Sequence, residues 1–155
     1  MLWKMPMLEG FQAGLAWITV LGKREAFRHA FAGFDPVKVA RFTEKDVTRL
    51  LADAGIIGSR AKIEATITSA NIHHAMAASG ENFADFCWSF TEGKALQRDG
   101  HGAAAATPLS ERISKELKRR GFKFVGATIV YAWMQAVGIV NGHLAHCLRR
   151  KLGRA

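Results

Sequence analysis

Apolar positions recur along this chain with helical spacing, and no Val/Ile/Thr run alternates with the period of a strand, so the pattern predicts an all-α fold. Leu8, Leu15, Ile18 and Leu21 form one stripe, which predicts a first helix from about Leu8 to Leu21. A short second helix follows from Lys23 to Phe31 and ends at "AGFDP", where Gly33 and Pro36 punctuate the chain. Pro36 to Ala40 reads as one further turn. Thr43, with Asp46 three residues on, approximates a capping box for a helix reaching Asp53. Gly55 and Gly58 bracket a turn, and Ser59 is placed to cap a helix through Met76. Residues 80–108 read as loop-rich, with "FADFCWSF" as an apolar anchor and "DGHGAAAATP" as a flexible surface loop. Ser110 is placed to cap a helix to Arg120, and Ala127 to Val140 forms the last long helix before "NGH" breaks it. Trp3, Met5 and Met7 are expected to be exposed unless something packs over them.

The apolar run from Phe124 to Val140 has two readings. Its basic flanks suit a membrane span, but it is at the short limit for one, and Gly126, Gln135 and Gly138 weaken it. A central core helix is the reading adopted. No internal repeat is present, and 155 residues suffice for one self-supporting core. Residues 1–148 are therefore expected to form a single helical domain, with 149–155 as a basic tail.

Charge narrows the partner. The chain carries 22 Lys+Arg against 13 Asp+Glu, a net +9, which draws polyanions such as nucleic acid or an acidic membrane surface. Two cysteines, Cys87 and Cys147, are too few for a disulfide-stapled secreted domain. The opening "MLWKMPMLEG" lacks the apolar core and cleavage site of a signal peptide, so a reducing cytoplasm is expected.

The charge gathers at "RRGFKFVG", where Arg119, Arg120 and Lys123 surround a turn bounded by Gly121 and Gly126. Such a turn can leave backbone N–H groups pointing outward beside the positive end of the next helix, a ready grip for phosphate. It can equally be a solvated connection in a basic protein, and spacing alone leaves both open.

Longer blocks carry more. "LEGFQAGLAWITVLGKREAFRHAFAGFDPVKVA", "LLADAGIIGSRAKIEATITSA", "FADFCWSF" and "ISKELKRRGFKFVGATIVYAWMQAVGIVNGH" resemble, in order, the signature blocks of the DNA-3-methyladenine glycosylase I family. The resemblance implies a helix–hairpin–helix DNA glycosylase-like helical domain in which Arg119, Arg120, Gly121, Lys123 and Gly126 hold the DNA backbone. It also implies hydrolysis of the N-glycosidic bond of 3-methyladenine in double-stranded alkylated DNA; a monomer is the default expectation, and the reading of residues 124–140 as a core helix leaves no membrane role. Glu9, the glutamate of "LEG", takes the catalytic and base-binding role, Trp17 stacks on the base, and Gln12 supports Glu9. On a continuous helix Trp17 would follow Glu9 about two turns later. Other hairpin glycosylases carry an aspartate after the hairpin; no Asp or Glu occurs here from Phe122 onward, which fits a monofunctional enzyme without a lyase step.

The chain departs from the family in three ways. Fewer residues precede "LEG", so the resemblance implies an N-terminal truncation and the loss of a Cys and a His. His143 and Cys147 would then be two of the four ligands that a structural zinc site expects. Phe11 stands where the family often has a polar residue, at the expected pocket edge. An inactive or non-catalytic DNA-binding protein is the alternative reading; an RNA-binding or membrane-associated protein rests on charge alone.

Overall fold

The computed structural model describes residues 2–97, 105–143 and 146–148; the Trp17 side chain, most of the "DGHGAAAATP" stretch and the 149–155 tail lie outside the described residues. Nine α-helices form the described fold: α1 Lys4–Gln12, α2 Trp17–Gly22, α3 Arg24–Ala30, α4 Pro36–Val39, α5 Glu44–Ala52, α6 Arg60–Ala78, α7 Phe83–Ser89, α8 Pro108–Arg119 and α9 Ala127–Ala136. Two dipeptides, β1 Leu96–Gln97 and β2 Val140–Asn141, pair in parallel and are the extent of sheet among the described residues.

Side-chain caps set four of the nine helix starts, and Ser59, at the start of α6, makes no side-chain cap bond. Asp35 accepts from the Val37 amide at 2.9 Å ahead of Pro36, and Asn82 accepts from the Ala84 amide at 2.7 Å. The Thr43 amide donates to the Asp46 carboxylate at 2.9 Å, completing the expected box at the start of α5. The start of α8 differs from expectation. Thr107 is the cap and Ser110 its third-position partner, with amide-to-hydroxyl contacts of 2.8 and 3.1 Å running both ways.

The largest departure is in the first predicted helix, which is two. Gly14 adopts φ +80°, Ala16 is extended, and α1 ends at Gln12. The left-handed residue turns the chain away from the core, so the predicted stripe does not stay buried. Leu8 is buried, whereas Leu15, Ile18 and Leu21 are exposed, Ile18 to 72%. Trp3 and Met7 are buried instead, and Met5 packs against the core. The Trp133 indole donates to the Leu2 carbonyl at 3.2 Å, drawing the start of the chain onto α9.

α9 is the central helix, packed by α1 and α8, with Val130, Tyr131, Trp133 and Met134 buried. It stops short of Val140 because Gly138 turns left-handed at φ +83°, which sends the chain into β2. Among the described residues no helix is long and apolar enough to cross a membrane. An aromatic column fills the other half of the core: Phe11 against Phe27 at 4.6 Å, and Phe31 stacked on Phe34 at 5.4 Å. Phe11, expected at a pocket edge, is thus a core residue.

The split of the first helix has a direct consequence. Leu8→Ala is expected to cost about 2–5 kcal/mol by denaturant unfolding, while Ile18→Ala stays within about 0.5 kcal/mol; a continuous buried stripe would make both costly.

Candidate functional site

Glu9 lies in the last turn of α1 and is 6% exposed, yet among the described residues its carboxylate has no hydrogen-bond or ion-pair partner. Burial raises its pKa above the ordinary 4.5, because removing water disfavours the charged form. This is an expensive placement for an acid, and the fold has no structural use for it.

Gln12 does not turn toward Glu9. Its amide donates to the Leu15 carbonyl at 2.9 Å and so closes the break between α1 and α2. Trp17 opens α2 on the far side of that break. The expected two-turn spacing on one helix therefore does not relate it to Glu9, and the connection is set by the bend at Gly14.

The two-glycine turn is a structured hairpin. α8 ends in a Schellman motif: the Phe122 amide donates to the Leu117 carbonyl at 3.0 Å and the Gly121 amide to that of Lys118 at 2.9 Å. Gly121 supplies the φ of +97° that this motif needs. Phe122 and Leu117 are both buried, which is its usual apolar contact. Ser114 donates to the Val125 carbonyl at 2.6 Å and pins the far side of the turn to α8. Gly126 then starts α9 with no side-chain cap.

The two glycines have different reasons to be there. Gly121 is required by its backbone, and an added Cβ would also meet Ile72 at 3.3 Å. Gly126 has an ordinary φ of −60°, and nothing in the protein lies within 4 Å of a Cβ there. The fold does not demand glycine at 126, whereas a ligand backbone approaching the uncapped N–H groups of α9 would.

The flanking cations are unequal. Arg119 forms a bidentate pair with Glu116 at 2.7 and 2.8 Å. Arg120 bonds Glu116 at 2.9 Å and Glu81 at 2.6 Å, and its guanidinium lies 4.0 Å from the centre of the Phe86 ring. The two arginines hold the Glu116 carboxyl down at about 2. Arg120 thus braces α8 against α7, and Arg119 is exposed but compensated. Lys123, at the tip of the turn, is exposed with no ion pair among the described residues. Sequence reasoning missed this brace because Glu81 lies 39 residues from Arg120.

The hairpin and the Glu9 helix touch. A Cβ on Gly10 would lie 3.4 Å from that of Phe124, which stands in the turn with φ +55°. Lys62 of α6, also unforeseen, reaches the same place and donates to the Phe11 and Ala13 carbonyls at 2.9 and 2.7 Å. The one sequence signal was the small polar face of α6, where Thr66 and Ser69 follow Lys62 at helical spacing and are buried.

At the other end of the molecule, the Cys147 Sγ lies 3.7 Å from His143 Nδ1, close to the ~3.6 Å expected of two ligands on one tetrahedral zinc. Neither residue is in a helix, contrary to the spacing argument. Two donors do not make a structural zinc site, and among the described residues no group of three or more His, Cys, Asp or Glu could hold a metal.

Comparison with known proteins agrees with this geometry. The profile of the methyladenine glycosylase family matches residues 1–150. DNA-3-methyladenine glycosylase 1 of Escherichia coli is 50% identical over 149 residues, covering 94% of this chain and 80% of that protein. DNA-3-methyladenine glycosylase of Haemophilus influenzae is 47% identical over 143 residues, covering 90% and 77%. A crystal structure of 3-methyladenine DNA glycosylase I superposes with a TM-score of 0.91 at 49% identity, covering 95% of this chain and 82% of that one. The chain spans about four fifths of the length of these relatives. With its blocks, its fold and its hairpin in agreement, the chain belongs to the methyladenine glycosylase family.

Proposed function

We infer that this chain is a 3-methyladenine DNA glycosylase I, which acts in base excision repair of alkylated DNA by hydrolysing the N-glycosidic bond. Family membership carries the reaction, and the observation that carries the site is the buried carboxylate of Glu9, without a partner among the described residues, on a helix in contact with the hairpin. Methylation at a ring nitrogen makes adenine cationic and a good leaving group. Water adds to the sugar C1′, the base departs with the bonding electrons, and an abasic site remains. The enzyme's main task is to extrude and recognise that base.

Glu9 suits the task by electrostatics. A largely buried carboxylate gains most from a cation and nothing comparable from neutral adenine, so its burial favours the damaged base. The same charge stabilises the developing oxocarbenium sugar. Trp17, in the role the family resemblance implies, stacks on the base. Gly121, Lys123, Gly126 and the amides of α9 grip one strand without reading its sequence. Arg119 joins them if DNA phosphate draws it from Glu116, and Arg120 keeps its bracing role. The reaction has no lyase step, and none of it is routed through zinc, for which His143 and Cys147 supply only a half-site. We read the chain as a monomer on double-stranded DNA in the cytoplasm; both cysteines are free, and burial pushes the Cys87 thiol up to about 12.

The decisive measurement is release of 3-methyladenine from methylated duplex DNA. Wild-type protein is expected to release it, and Glu9→Gln to do so ~100-fold more slowly. Wild-type protein that binds DNA but releases no base would leave only the non-catalytic reading.

Glu9→Gln should also melt at or above the wild-type temperature at neutral pH. The native carboxyl holds its proton more tightly than the unfolded one, so wild-type stability falls as pH rises from about 4.5 through the raised native value. The glutamine variant lacks that fall. The acid limb of the wild-type rate should lie above 4.5 for the same reason.

Gly126→Asp is expected to abolish DNA binding in an electrophoretic shift while leaving the melting temperature near wild type, because its Cβ meets open space. Gly121→Ala should instead destabilise the fold by about 1–2 kcal/mol, through its left-handed φ.

A further inference from the structure

The break between α1 and α2 poses a hydrogen-bonding problem. A helix end leaves its last four carbonyls without partners, and here the end is sharp and lies beside the core. Gly10 accepts from the Ala13 amide at 3.3 Å and Gln12 from the Leu15 amide at 2.7 Å. The Phe11 and Ala13 carbonyls receive no backbone donor among the described residues. Both are taken by the Lys62 ammonium, from about fifty residues away in sequence, at 2.9 and 2.7 Å.

We propose that Lys62 is a positioning residue for excision, locking the bend between Glu9 and Trp17 and tying it to the DNA-gripping hairpin. Resting on the glycosylase reading above, it adds a residue that touches neither base nor phosphate. Among the described residues, Lys62 is the one side chain from outside residues 9–16 that hydrogen-bonds their backbone. Its ammonium also lies 5.9 Å from the centre of the Phe124 ring, on the hairpin. One half-buried charge therefore contacts the end of the helix bearing Glu9, the bend leading to Trp17 and the tip of the hairpin. A cation suits a helix C-terminus, where the dipole is negative. Its stem lies along a cleft lined by Met7, Gly10, Thr66 and Phe124, which fixes its reach. Burial lowers the pKa of this lysine, as expected for an ammonium that acts inside the structure rather than on a solvated phosphate.

The arrangement predicts a split between binding and chemistry. A phosphate-binding lysine would weaken DNA binding and reduce the salt slope of log K by about one on removal. A positioning lysine leaves both unchanged and lowers the excision rate, because displacement of a catalytic group by about an ångström costs up to ~100-fold.

The test measures single-turnover release of 3-methyladenine from methylated duplex, alongside the Kd for that duplex at several salt concentrations. For Lys62→Met we expect a 10- to 100-fold slower rate, with Kd and salt slope as in wild type and faster amide exchange at Leu15. Lys62→Arg, which keeps the charge and two donors, is expected to restore most of the rate. An unchanged rate in Lys62→Met overturns the proposal, as does a loss confined to Kd and salt slope. If Lys62→Met does not fold, Lys62→Gln, too short to reach both carbonyls, is read by the same outcomes. Wild-type protein that releases no base refutes the glycosylase reading instead; the Leu15 exchange rate then still tests the clamp, and an unchanged rate there overturns it.

Discussion

A largely buried carboxylate with no partner among the described residues is the constraint around which this protein is arranged. Glu9 is 6% exposed, and burial alone raises its pKa. Such a group weakens the fold whenever it is ionised. The neighbouring structure keeps it in place: α1 is anchored at its start by the buried Trp3 and by the Trp133–Leu2 bond. At its end α1 is held by the carbonyl contacts of Lys62. A helix that carries a destabilising charge needs both ends fixed, and here both are fixed by residues remote in sequence.

The hairpin solves a different problem. The grip on DNA inferred for it depends on open amides and on a glycine that leaves space, features that contribute nothing to stability. Its shape therefore comes from the surrounding structure: a Schellman turn at Gly121, the Ser114–Val125 bond, and the Arg120 brace onto α7. Contact between Gly10 and Phe124 then carries the hairpin's position to the Glu9 helix. In the inferred reaction, a damaged base is presented to the carboxylate only if these two elements keep a fixed separation.

Much of this was legible beforehand where the signal is local. Thr43 with Asp46, Pro36 after Asp35, and Gly121 at the end of α8 each act through atoms a few residues away, and each element start or stop follows. The signature blocks pointed to Glu9 and to the hairpin. The roles inferred from helical spacing were less secure. Trp17 was related to Glu9 by a helix that Gly14 divides, Gln12 shares α1 with Glu9 but turns to the Leu15 carbonyl, and Leu15, Ile18 and Leu21 face solvent because of the same bend. A glycine after an apolar run permits a break without requiring one, so the run by itself could not reveal it.

The linear chain determined the helical class, the Thr43–Asp46 box, the family and the residues available for chemistry, because propensity, capping and block identity are properties of neighbouring residues. Tertiary structure alone decided which cations are free. Arg120 is neutralised by Glu116 and by Glu81, remote in sequence, while Lys123 has no such partner among the described residues. It also decided that Glu9 is buried, that Phe11 is core, and that Lys62 meets the bend. Desolvation and pairing depend on distance in space, and folding sets those distances by bringing together residues that the sequence keeps far apart.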